Sequence, residues 1–270
     1  MEYDMRKLHG VLVEILDYFV SVCEKYDLRY VLAYGTALGA YRHQGFIPWD
    51  DDLDVAMPRK DYEKLREVLA KDPDPRYELQ NESNEERWFL TFSKIRKNDT
   101  VFLESIAGDR YRNNGIYIDI FPLDNVKDPD SKKHRRDVRT IKYLRHSLKF
   151  CACGGLYREK YSGLRYAMEC VLTLPVRIAG EKRTLRKLNA LRTGTCSEKD
   201  AAVLAEYDEP QANTVPAEVY FPTRKLLFEG KCYHVPGKIE QYLSTVYGPD
   251  YMELPPVEKR QTHKPAKLVF

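Results

Sequence analysis

The stretch "GTALGAYRHQGFIPWDDDLDV" occupies residues 35–55, and its end sets the problem. Four aspartates, Asp50, Asp51, Asp52 and Asp54, fall within five positions. Like charges repel, and Asp is a poor strand former. Either a cation gathers them or the run is a solvated turn. Pro48 disfavours helix around it, so "FIPWDD" reads as a loop. From Asp52 the sequence alternates: Leu53, Val55 and Met57 point one way, Asp52, Asp54 and Ala56 the other. Residues two apart on a strand share a face at about 6.6 Å. Asp52 and Asp54 therefore can converge on one hard cation, such as Mg²⁺, which takes one or two carboxylates and completes its shell with phosphate oxygens and water. The competing reading is an acidic turn followed by an exposed strand Asp.

Working outward, residues 5–26 carry Leu8, Leu12, Ile15, Phe19 and Val22 at helical spacing. "LRYVLAY" (28–34) reads as a buried strand that runs into a tight Gly35-Thr36 turn and a short helix through Tyr41. A helix from Arg59 to Leu69 is opened by Pro58. "WFLTFSKIRK" (88–97) and "VFLES" (101–105) read as a hairpin around "NDT". "GIYIDIF" (115–121) alternates again, with Ile116, Ile118 and Ile120 on one face and Tyr117, Asp119 and Phe121 on the other. Asp119 becomes the third carboxylate if the two alternating strands are neighbours. Such a set would hold the metal that bridges a nucleotide's phosphates during in-line displacement.

Beyond residue 130 the pattern turns helical. Val138, Ile141, Leu144 and Leu148 form an apolar stripe; "LRYAMECVLTL" is a second helix stopped or kinked near Pro175; "GEKRTLRKLNALRTG" is a third. Residues 196–218 read as an irregular connection, "RKLLFEGKCYHVP" as a hairpin, "GKIEQYLSTVYG" as a terminal helix, and the rest as a Pro-rich tail. The expected architecture is α/β (α+β): a mixed sheet flanked by helices, with a core over 1–130, a basic helical insertion over 131–195, and a hairpin, helix and tail over 196–270.

Charge is unevenly spread. The chain has 270 residues and a net charge of +3. Residues 131–195 hold 17 Lys/Arg against 4 Asp/Glu, or +13, so the remainder carries −10. A basic segment on an acidic body suits an anionic partner. The segment lacks a groove-reading motif, so nucleic acid is not the expected partner. The first residues are charged, no run of roughly 18 apolar residues occurs, and the six cysteines form no paired C-x-x-C knuckles. These features fit a reduced, cytoplasmic protein.

A strand, a Gly-Thr turn, a gap, a D-x-D strand and a later strand Asp together resemble the nucleotidyltransferase-fold signature. Within it, "GTALGAYRHQGFIPWDDDLDVAMPRKDYEKL" (35–65), "SKIRKNDT" (93–100) and "GIYIDIFPLD" (115–124) closely resemble the LicD family of phosphotransferases, with weaker echoes at 221–230, 235–252 and the His263 tail. The resemblance is strong over 28–125 and absent over 131–215. That family includes phosphocholine transferases of bacterial surface glycans and relatives of fukutin-type phosphoribitol transferases. The resemblance implies a CDP-activated alcohol donor such as CDP-choline, a cell-surface glycan acceptor (a teichoic acid, for example) or its lipid-linked precursor, and Mg²⁺ or Mn²⁺. It carries Asp52, Asp54 and Asp119 onto the metal and catalytic positions. Asp50 and Asp51 are read as loop-anchoring or field-setting groups.

The remaining candidates are substrate contacts. Gly35 and Thr36 start a helix whose N–H groups favour phosphate. Arg42 and His43 follow that helix, as phosphate ligands or as cations at its C-terminal end. Trp49 lines a nucleoside pocket or plugs its loop. Lys94 and Arg96 share a strand face and reach anionic groups or solvent. His263 is a substrate or metal contact through the family echo. The basic segment would hold the protein at an anionic membrane on its cytoplasmic side, where each cation contributes on the order of 1 kcal/mol, or serve as a solvated basic face. Two rival functions use the same carboxylates: a nucleotidyltransferase modifying a small molecule or antibiotic, and a non-catalytic nucleotide-binding protein.

Overall fold

The computed structural model describes residues 4–104, 108–154, 157–158, 161–193, 196–208, 213–260 and 265–270. Helix α1 (Met5–Tyr26) is capped by Asp4, whose carboxylate accepts from the Lys7 N–H at 3.0 Å. Its stripe of Leu8, Leu12, Ile15, Phe19 and Val22 is buried against the central sheet. Next come β1 (Val31–Leu32), α2 (Tyr34–Arg42), β2 (Asp54–Pro58), α3 (Arg59–Lys71), β3 (Tyr77–Gln80), β4 (Ser93–Lys97), β5 (Val101–Leu103) and β6 (Tyr117–Val126). The basic segment forms α4 (Lys132–Ala152), α5 (Gly163–Leu172), α6 (Leu174–Ala179) and α7 (Glu181–Thr193). The remainder supplies β7 (Val203–Glu206), β8 (Asn213–Pro216), α8 (Ala217–Tyr220), β9 (Arg224–Phe228), β10 (Lys231–Val235), α9 (Ile239–Tyr247) and β11 (Lys267–Val269).

The principal sheet has strand order β1-β2-β6-β4-β3, with β7 also pairing β6 and β8 pairing β7. β2 and β6 are parallel; the other pairs are antiparallel. This is the expected mixed sheet flanked by helices. Ile116, Ile118 and Ile120 are fully buried in the main core beside Leu53, Val55 and Met57, as alternation requires.

Several local expectations need correction. The strand at 28–34 shrinks to two residues, because α2 already begins at Tyr34. β4 and β5 do not form a hairpin: β4 lies between β3 and β6, and β5 pairs with β11 from the tail. Residues 88–92 are not strand. The connection at 196–218 contains β7 and β8, which extend the sheet from the end of β6. Tertiary pairing decides these cases, since a four-residue strand carries too little periodicity to stand out alone. Pro175 sits in the first turn of α6, where its missing N–H costs nothing, so the helix restarts there.

Candidate active site

Three neighbouring strands place one functional group each in a row. Asp54 on β2 is the register partner of Asp119 on β6, and Asp119 is the register partner of Lys94 on β4. Cross-strand partners project to the same side, so the row opens into one cavity of about 600 Å³. Asp52, just before β2, lines it too. The start of α2 braces this row: the Thr36 hydroxyl accepts from the Asp54 N–H at 2.9 Å, and the N–H of Ala33, just before the helix, donates to the Asp54 carbonyl at 3.0 Å.

Lys94 is buried under the site. Its Nζ lies 3.0 Å from Asp119 Oδ1, 3.6 Å from Glu104 Oε1, and 3.4 Å from the Tyr117 ring centre. Burial pushes the Asp119 carboxyl up to about 6; Lys94 pulls it down, while Glu104 and Asp52 add to the rise. A carboxylate poised near neutrality suits proton transfer.

Helix α4 lines the same cavity. Lys142, Arg145, His146 and Lys149 recur at intervals of three and four, on one helical face, and all line the cavity. The stripe Ile141, Leu144 and Leu148 is buried on the other side. Arg145 is tied to the Asp208 carboxylate at 3.4 Å and donates to the Tyr207 and Asp208 carbonyls. His146 Nε2 lies 2.8 Å from Glu169 Oε2. Lys142 and Lys149 are exposed and make no ion pair among the described residues. Phe89, Phe92, Tyr111, Tyr117, Phe121 and Tyr157 also line the cavity.

Arg192 fastens the two halves. This last-turn residue of α7 is fully buried and donates to Asp124 at 2.9 Å, Asp208 at 2.9 Å and the Thr91 carbonyl at 3.2 Å. Arg59 donates to the same Asp124 through two nitrogens, at 2.7 and 3.0 Å. The cavity residues Thr91 and Asp208 are thereby held against β6.

The donor set is carboxylate oxygen, without thiol, which suits a hard divalent cation. Among the described residues no group of three or more His, Cys, Asp or Glu could hold a metal ion on its own. Asp52 and Asp54 are the cavity carboxylates that would hold such a cation.

The chain is similar in sequence to known proteins. Residues 27–156 match the family described as LicD/FKTN/FKRP, nucleotidyltransferase domain. The chain is 31% identical over 267 residues to the lipopolysaccharide cholinephosphotransferase LicD of Haemophilus influenzae, covering 96% of this chain and 95% of that one. The chain belongs to the LicD family. Ribitol 5-phosphate transferase FKRP of Mus musculus is 29% identical over 136 residues, 47% of this LicD-family chain and 24% of that protein. The human FKRP is 28% identical over a stretch of the same length.

The sequence-expected residues now separate. Asp52, Asp54, Asp119 and Lys94 line one cavity; Gly35, Thr36, Arg42, His43, Trp49 and Arg96 do not line it. Gly35 lets the chain pass Asp50: a Cβ there would stand 2.6 Å from Asp50 Oδ2. The Asp50 carbonyl also lies 2.8 Å from His9 Nε2. Arg42 donates to the Tyr251 and Glu253 carbonyls at 2.9 and 3.1 Å, and its Nε lies 3.4 Å from His43 Nδ1. Trp49 packs on the core beneath the Arg260 guanidinium, 4.1 Å from the ring centre. Arg96 is wholly buried, donating to Gln80 and to the Gly115 carbonyl, with Glu104 3.5 Å away. His263 lies outside the described residues. The α4 cations were missed as site residues, although their spacing at 142, 145, 146 and 149 was readable as one helix face.

Proposed function

We propose that this LicD-family phosphotransferase moves a phosphorylated alcohol from a CDP-activated donor onto a hydroxyl of a surface glycan or its lipid-linked precursor. The observation that carries the reading is the one cavity lined by both the Asp52, Asp54, Asp119 row and the α4 cations. Its volume suits a nucleotide-sized ligand. Asp52 and Asp54 would hold Mg²⁺ or Mn²⁺ together with the donor's phosphates. Such a cation neutralises charge building on the transferred phosphorus and its leaving group. Lys142 and Lys149 draw the diphosphate in from the mouth. Asp119 accepts the proton of the acceptor hydroxyl, and Lys94 beside it keeps enough carboxylate ionised at neutral pH.

The aromatic lining favours a quaternary ammonium among the alcohols, because ring faces attract a cation that cannot donate hydrogen bonds. The cholinephosphotransferase relative supports the same choice. An acceptor built on a lipid carrier would bring the enzyme to the inner face of a membrane as a peripheral protein. No helix among the described residues is long and apolar enough to cross one.

A thermal-shift panel tests this reading. CDP-choline, CDP-ethanolamine, CDP-ribitol, CDP-glycerol, CTP, ATP and GTP are each added with and without Mg²⁺. CDP-choline with Mg²⁺ should give the largest stabilisation, since a ligand that binds only the folded state raises stability in proportion to the logarithm of its concentration over Kd. A larger shift with ATP than with any CDP-alcohol would favour nucleotidyl transfer instead.

A further inference from the structure

Helix α5 is amphipathic the wrong way round. Leu164, Met168, Val171 and Leu172 fall at i, i+4, i+7 and i+8, one helical face, and they face solvent. Leu164 is 77% exposed, Met168 65% and Val171 73%. The next helix continues the surface with Leu174 and with Ile178, 79% exposed. Six of the twelve exposed large hydrophobics among the described residues lie within these 15 positions. What holds α5 to the protein is its polar edge: Glu169 to His146 at 2.8 Å, and the Tyr143 hydroxyl to the Leu172 carbonyl at 2.9 Å. Its Tyr166 ring also lies 5.6 Å from Phe150 of α4.

The exposed charges that this segment itself carries have one sign, although Lys182 lies 4.0 Å from the exposed Glu86. Residues 161–187 contain six Lys/Arg (Arg165, Arg177, Lys182, Arg183, Arg186, Lys187) and two acids. All six cations are exposed. Both acids are turned inward, Glu169 to His146 and Glu181 to Arg110, whose Nη2 donates to both Glu181 oxygens at 2.7 Å. The exposed surface of this segment therefore combines apolar side chains with cations. An apolar helical face with a basic border is the pattern that lies in the plane of an anionic bilayer.

We infer that α5 and α6 form a membrane-docking face that inserts Leu164, Met168, Val171, Leu172 and Ile178 into the headgroup region of an anionic lipid leaflet. This deepens the proposed function by saying where the enzyme meets a lipid-borne acceptor. A second copy of this chain is a poor occupant, because it would bring six cations against the same six, with Glu86 beside Lys182 offsetting one of them. The site of contact also fits. α5 packs beside the α4 face that lines the cavity, and Tyr157, another cavity residue, stacks on Phe150 of that helix. An acceptor held in the leaflet would thus lie beside a helix that lines the cavity. The α4 cations Lys142, Arg145 and Lys149 face the cavity and take no part in the docking face.

Vesicle co-sedimentation of the full chain tests the inference. Vesicles of phosphatidylcholine alone are compared with vesicles carrying 30 mol% phosphatidylglycerol, an amount of roughly physiological charge density. Anionic vesicles should pellet the protein and neutral ones should not, and binding should weaken as salt rises. Met168→Asp/Val171→Asp should lower binding about tenfold or more, equivalent to 1.4 kcal/mol. Both residues are exposed, so circular dichroism should show an unchanged fold. Arg177→Glu/Lys182→Glu/Arg183→Glu should remove the preference for anionic lipid. Neither variant should alter the thermal shift with CDP-alcohol and Mg²⁺, so docking can fail while the catalytic reading stands. Equal pelleting with both vesicles would overturn the inference, as would unchanged binding by the Met168/Val171 variant. So would a dimer that this variant makes monomeric.

Discussion

Lys94 and Arg96 look alike in the sequence, two cations on one strand face, yet the molecule uses them differently. Lys94 stands 3.0 Å from a cavity carboxylate, whereas Arg96 points into a buried cluster with Gln80, Gly115 and Glu104. Alternation could say that they share a face, but not which strand would cover it. The same limit applies to the aspartates: the face of Asp54 and of Asp119 was readable, while their pairing across β2 and β6 is long-range register. Lys94→Met should therefore reduce turnover more than it lowers the melting temperature, because Asp119, left without its cation, lines the cavity and can take up a proton. Arg96→Met should leave Gln80 and Gly115 acceptors buried without their donor, costing about 1–3 kcal/mol or more, because Glu104 loses a charge partner too. Asp54→Asn should cut transfer by about 10²–10⁴-fold, the scale of losing a group that acts in the transition state. Its melting point should hold or rise, since one of a set of repelling charges is gone. Kinetics and urea denaturation on the three variants separate the roles, and equal loss of activity at intact stability for Lys94 and Arg96 would refute the distinction.

At the scale of the element, α4 is a helix with two working faces. Its apolar stripe was legible, because Ile141, Leu144 and Leu148 repeat with helical period. Its cations were legible only as a charge excess, since a sequence does not say what the polar side of a helix faces. The answer lies in packing: Leu144 and Leu148 bury against Val176, Leu185 and Leu188, and Ile141 against Val126, Ala205 and Tyr207. These contacts turn Lys142 and Lys149 toward the carboxylate row. Lys142→Glu/Lys149→Glu should raise the donor KM by about tenfold, the effect of removing roughly 1–2 kcal/mol of attraction for a diphosphate. Turnover at saturating donor should change less, because these side chains sit at the mouth, away from the reacting phosphorus. Reversing Lys132 and Arg135, which lie at the far end of the same helix and outside the cavity lining, is the control. A KM that responds equally to both pairs would mean that only net charge matters.

Over the whole molecule, segments far apart in sequence are joined by buried charge. Arg192 of α7 reaches Asp124 of β6 and Asp208 beyond β7, and Glu206 lies beside them with 1% of its surface exposed. Glu206 accepts from the Tyr34 hydroxyl and from the Asp208 N–H. The irregular reading of 196–218 hid this cluster, because Glu206 and Asp208 resemble surface acids until β7 is paired with β6. Burial, with the Asp208 charge next to it, pushes the Glu206 carboxyl up to about 8, while Tyr34 and Arg192 oppose the shift. Asp208 is held below the usual carboxylate range by Arg192 and Arg145. The pair thus keeps its proton on Glu206. In the unfolded chain that proton leaves near the ordinary value of 4.5, but in the folded protein it stays until about 8. Between those values the folded state binds more protons, so stability falls as pH rises from about 4.5 to 8 and then levels. Glu206→Gln should remove this part of the pH dependence. The amide oxygen can accept from the Asp208 N–H, and the Tyr34 hydroxyl can rotate to accept from the amide NH₂. The variant should match wild type near pH 5 and melt about 2–4 °C higher, or more, at pH 8, as expected for each ~1 kcal/mol in a chain of this size. Melting curves of both proteins across pH 5–9 give the difference directly. Parallel curves would mean that Glu206 is ionised in the folded protein and that Arg192, Arg59 and Arg145 together balance three buried acids.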